Sequence, residues 1–147
     1  MLQKIINFLI EIFVSPKTKL TKREIIDETV KYYTKHSRAL IKLKDQERLK
    51  CVYNGTNPQG EDVMCAVGRV LTPQGRKFAT YKYMAVSHLA RESNGLDLLL
   101  QNKYKGHNVN FWENLQNFHD DNENWKDNKL TMTGKRSVIN LRRRYAA

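Results

Sequence analysis

The sequence predicts an α+β fold: a mostly helical single domain that carries one small antiparallel β-hairpin. Three observations point to it. Apolar residues recur at helical spacing in several segments. Two short β-prone runs flank a stretch dense in turn formers. A hydrophobic share of 40% over 147 residues suffices for one core, and no repeat or linker divides the chain. The expected organisation is an apolar amino-terminal helix over residues 1–16 followed by one α+β domain over 17–147.

Residues 1–14 form the most apolar stretch, and Lys4, Asn7 and Glu11 make one narrow polar stripe on a helix. Ser15-Pro16 ends it, because proline disfavours helical geometry in the residue before it. Such a helix spans about 21 Å, short of a bilayer core of about 30 Å. Three fates are open to its apolar surface: packing on the domain, a homo-oligomer formed through residues 2–14, or membrane-surface contact.

Leu20-Thr21-Lys22-Arg23-Glu24-Ile25 has the pattern of a capping box with a hydrophobic staple. The helix it opens carries Ile26, Val30 and Tyr33 on one face and fades near residues 35–37. The hairpin is expected from Cys51-Val52-Tyr53 and Val63-Met64-Cys65-Ala66-Val67, a pairing that brings Cys51 near Cys65. Pro73-Gln74-Gly75 reads as a turn. Helices are expected over residues 83–90, 110–125 and 137–145, the last with Val138, Ile139 and Leu141 inward and its arginines outward.

Charge sets the functional classes. Lys and Arg number 26 against 15 acids, for a net charge of +11. The excess lies at the ends: residues 17–50 hold eleven bases to five acids, and residues 135–147 hold Lys135, Arg136, Arg142, Arg143 and Arg144 with no acid. Such a field favours an acidic protein face or nucleic acid as partner, and the resemblance given below would make the former an acidic host protein. The candidate binding residues are Arg69, Arg76, Lys77, Lys82, Lys135, Arg136, Arg142, Arg143 and Arg144. Tyr81 and Tyr83 alternate with Lys82 as base-stacking candidates, and Lys42 and Lys44 add charge. Two cysteines and no secretory pattern suggest reduced thiols in a cytoplasmic protein. No metal-binding spacing, phosphate loop or nucleophile elbow occurs, so no cofactor, metal or catalytic residue is assigned and an enzyme is the lesser reading.

Two blocks carry a resemblance. Cys51-Val52-Tyr53-Asn54-Gly55 with Cys65-Ala66-Val67-Gly68-Arg69, and Leu115-Gln116-Asn117-Phe118-His119-Asp120 with Asn124-Trp125, resemble the paired motifs of a family of small phage and bacterial proteins. The motif positions are Cys51, Tyr53, Gly55, Cys65, Gly68, Gln116, His119, Asp120 and Trp125, within a likeness spanning residues 20–142. It implies a phage setting, hence the host-cell cytoplasm, and transfers no catalytic role. The leading expectation is an accessory protein that binds and modulates a host defence or housekeeping protein. The alternatives are a sequence-tolerant DNA- or RNA-binding protein and a metal-dependent hydrolase using His119 and Asp120. For that pair, the structural reading has His119 hydrogen-bonded within its helix and Asp120 paired with an arginine such as Arg69.

Overall fold

The computed structural model describes residues 19–42, 49–80 and 85–146. The apolar segment 1–16, with its three possible fates, and Lys44, Tyr81, Lys82 and Tyr83 lie outside them. Among the described residues the chain forms five α-helices and three two-stranded antiparallel sheets, so the fold is mostly helical α+β. No helix there is long and apolar enough to cross a membrane.

Helix α1 (Lys22–Tyr33) starts as its sequence dictates. Glu24 N–H donates to Thr21 Oγ1 at 3.2 Å, and the Glu24 carboxylate accepts from Thr21 N–H at 2.8 Å. This reciprocal pairing satisfies two donors that a helix start otherwise leaves open. Ile25, Ile26, Thr29 and Tyr33 are its buried face.

The β-region departs from the expected hairpin. Strand β1 (Leu40–Lys42) pairs with β2 (Leu49–Cys51), and the partner of Cys51 is Leu40. A second hairpin joins β3 (Gly55–Thr56) to β4 (Asp62–Val63). Its turn is built on Asn57, whose Oδ1 accepts from the N–H groups of Gln59 and Glu61. Beyond β4 one bond continues the pairing, from Cys65 N–H to Val52 O at 3.1 Å. The expected strand through Val67 stops at Val63, and the chain then coils into a 3-10 turn, Gly68–Val70. Gly68 permits the close packing there: an added Cβ would stand 1.9 Å from the Tyr53 carbonyl oxygen. Only glycine fits a backbone approach of that kind.

Helix α2 (Pro73–Thr80) occupies the place where Pro73-Gln74-Gly75 suggested a turn. Thr72 Oγ1 accepts from Gly75 N–H at 3.0 Å, and proline suits the first helical position because its missing N–H would be unpaired there anyway. Helix α3 (Val86–Glu92) follows, then 3-10 turns at Leu96–Leu98 and Asn102–Tyr104.

Helix α4 (Val109–Asp120) is capped by Asn108, which accepts from Phe111 N–H at 2.9 Å. It ends before the expected residue 125. The Asn124 amide and the Trp125 indole N–H both donate to the Phe118 carbonyl, which ties the following chain back on the helix end. Strands β5 (Trp125–Lys126) and β6 (Lys129–Leu130) then close on Asp127 and Asn128, both at positive φ. Two left-handed residues make the turn whose twist matches a tight hairpin.

Helix α5 (Met132–Arg144) begins at Thr131, whose Oγ1 accepts from Gly134 N–H at 3.0 Å. Gly134 packs on the Asn124 carbonyl at one end, and Asn114 donates to the Tyr145 hydroxyl at the other. Helices α4 and α5 are therefore antiparallel neighbours. Val138 and Leu141 are buried, but Ile139, expected inward, is 45% exposed. At about 100° per residue it falls off the stripe that Val138 and Leu141 share. The main core gathers Trp112, Phe111, Leu115, Tyr33, Ile25, Ile26 and Leu89 from α1, α3 and α4.

Candidate functional site

The two motif blocks meet inside the molecule. Gln116 on α4 accepts from Val67 N–H at 3.1 Å and donates to Asp120 Oδ1 at 2.7 Å. His119 Nδ1–H donates to the same oxygen at 2.7 Å. The His119 ring is stacked edge-on to Tyr33, whose hydroxyl donates to Met64 O at 2.6 Å. Cys65 is a buried free thiol whose sulfur accepts from Gly68 N–H at 3.3 Å. Gln116 and Tyr33 thus fasten α4 and α1 to the chain that leaves β4. Trp125 packs on Phe118 and Tyr33. Tyr53 is buried against Gly68, and Gly55 lies on the Val52 side chain.

His119 has no exposed surface. Burial holds its imidazole below the ordinary value of 6.5, against the upward pull of Asp120, and Arg38 and Arg69 add to the lowering. The Nδ1–H tautomer follows from the carboxylate it serves, and Nε2 is buried without a partner. No three His, Cys, Asp or Glu side chains gather to hold a metal among the described residues. The arrangement ties elements together, with the His119 side chain enclosed and that of Asp120 34% exposed.

A pH dependence follows. A base whose folded pKa is depressed contributes stability that is complete above its unfolded value and falls as pH drops below it. Glu28 acts in the same direction at lower pH. Partial burial pushes its carboxyl up, but hydrogen bonds from Tyr104 and Arg69, with the charges of Arg69 and Lys103, bring it below 4.5. Denaturation midpoints are expected to be flat above about pH 7 and to fall from about pH 6.5 downward. In His119→Phe the loss should begin only near the carboxylate range. An unchanged slope between pH 6.5 and 5 in that variant would remove His119 as the cause.

The predicted cations separate into distinct roles. Arg69 was expected on the binding face or against Asp120, and it is buried elsewhere. Its guanidinium contacts Glu28 Oε1 and Thr29 Oγ1, each at 2.7 Å, and lies over the rings of Tyr32 and Tyr104. Asp120 is taken by Gln116 and His119 instead. Arg142 is half-buried and pairs with Asp27 on α1 at 2.6 Å. Arg76 is half-buried and donates to Leu71 O at 2.9 Å. Lys77 is exposed on α2, away from the last helix in sequence. Lys42 lies in β1.

Lys135, Arg136, Arg143 and Arg144 remain exposed on α5. Met132, 66% exposed, and Ile139 stand among them. Met132, Arg136, Ile139 and Arg143 are spaced four, three and four residues apart, so they form one stripe along the helix. Sequence reading missed the two apolar members, although their seven-residue spacing places both on one face. No acid follows Asp127 in the chain, so nothing in this segment neutralises the stripe.

Comparison with protein-family models, curated proteins and solved structures finds no match to this chain.

Proposed function

We propose that this protein acts by binding an acidic surface of another protein through the exposed stripe of α5. The observation that carries the reading is the alternation of Met132, Arg136, Ile139 and Arg143 along one exposed stripe. A phosphate backbone offers cations charge and hydrogen bonds but little apolar surface to bury. Protein interfaces, by contrast, are enriched in Met and Arg and draw their affinity from a few buried anchors. The resemblance to phage-borne proteins makes a host protein the class of target, met in the host-cell cytoplasm, with inhibition or modulation as the outcome.

Capture from host-cell lysate at moderate salt, with wild type and variants side by side, tests this. Wild type is expected to retain one protein that Ile139→Ser weakens by about tenfold or more. Arg136→Glu combined with Arg143→Glu should abolish retention. All three positions are exposed, so stability should stay within about 0.5 kcal/mol of wild type. Titration with single- and double-stranded DNA and RNA is the counter-test. Tight binding that falls log-linearly with salt and ignores Ile139→Ser would replace this reading with nucleic-acid binding.

A further inference from the structure

Beside the stripe, α4 and α5 leave an open groove of about 360 Å³ between them. Asn117 on α4 and Ser137, Asn140 and Arg144 on α5 all border it, over a floor that includes Phe118 and Leu141. None of those four polar side chains makes a hydrogen bond or ion pair within the protein among the described residues. Asn124 also lines the groove, and its side-chain oxygen is buried with no partner. Asn124 is itself enclosed, with its amide on the Phe118 carbonyl, so the groups open to a ligand are those of Asn117, Ser137, Asn140 and Arg144.

The groove has a direction. Because the two helices are antiparallel, Arg144 lies at the end marked by the Asn114 and Tyr145 contact, and Asp121 borders the other end. Asn117 and Asn140 fall between them. A carboxamide presents one donor side and one acceptor, the complement of a main-chain peptide group. A guanidinium grips a carboxylate through two parallel bonds. One cation with an acid at the far end suits a ligand with a single terminal negative charge. It does not suit a run of phosphates, which Asp121 would repel.

We propose that this groove binds an extended peptide segment of the partner. Asn117 and Asn140 pair with its main-chain amides, and Arg144 holds an acidic side chain at one end. The idea rests on the acidic-partner reading and deepens it, since Asn140 joins the groove to the arginines beside it on α5. The volume falls within the range of about 300–1,000 Å³ typical of ligand sites, at its small end, so a few residues would fill it.

The test uses the full chain and the peptide N-acetyl-Gly-Gly-Gly-Glu amide, with the glutamine version beside it. NMR should show saturable shifts of the Asn117 and Asn140 side-chain amides with the glutamate peptide. Asn117→Ala with Asn140→Ala should weaken binding about tenfold or more. Arg144→Gln should erase the preference for glutamate over glutamine while leaving some binding. Absence of saturable shifts, shifts confined to Arg136 and Arg143, or indifference to the double alanine variant would overturn the proposal. Shifts with inorganic phosphate and none with peptide would overturn it as well. The two readings fail separately: loss of lysate capture in Ile139→Ser with no effect of the groove variants keeps the stripe and removes the groove.

Discussion

Gly68→Ala is expected to leave the protein unfolded or barely folded. The new methyl would stand 1.9 Å from the Tyr53 carbonyl oxygen and 2.8 Å from Tyr53 Cα, both main-chain atoms. No rotamer change relieves such a collision, so one of the two segments must move. Both are anchored nearby: Cys65 N–H bonds Val52 O, and Val67 N–H bonds Gln116. Overpacking alone costs about 1–3 kcal/mol, and loss of these buried bonds adds about 1–3 kcal/mol each. The sum approaches the whole stability of an ordinary domain, about 5–15 kcal/mol. Urea denaturation reads the effect directly, and a midpoint equal to wild type would show that the chain does not pack this closely at Gly68.

The second large effect is an asymmetry at the buried ion pair. Arg69 has a side chain only 6% exposed, whereas Glu28 is 34% exposed. Glu28→Ala strands a guanidinium inside the protein, where its Nε already has no partner. Loss of one partner from a buried pair costs about 3–5 kcal/mol; exposure of Glu28 and the remaining Thr29 contact reduce this to about 2–3 kcal/mol. Arg69→Met removes the charge itself and keeps the bulk. Glu28 then keeps Lys103 at 3.5 Å and access to water. That variant should lose clearly less than Glu28→Ala. Equal losses in the two would mean that Arg69 contributes through packing on Tyr32 and Tyr104 and not through its charge.

Much of the helical framework was legible along the chain. Thr21 and Glu24 spell a capping box three residues apart, a rule that needs no tertiary information. The apolar spacing of Phe111, Trp112, Leu115 and Phe118 reads as a buried helical face, and all four are buried. Other elements were legible but misread or passed over. Thr72-Pro73 is a helix start as much as a turn, and Asp127-Asn128 between two short runs is a tight hairpin signal. Helix α4 stops at Asp120 because Asn124 and Trp125 reach back to Phe118, a bond that spacing alone does not announce.

The candidate surface divides in the same way. Composition and charge distribution by themselves determined that the last helix is strongly basic and that no acid lies within it. Periodicity determined which residues share a helix face. Which of those faces meets the core is a property of neighbours distant in sequence. That is why Ile139 points to solvent, Arg142 turns to Asp27, and Arg69 lies against Glu28 and Thr29. The groove between α4 and α5 likewise exists only once the 121–131 connection has folded the two helices side by side. Local rules act over one helical turn, whereas burial, ion pairing and grooves depend on three-dimensional packing, and there the tertiary structure decides.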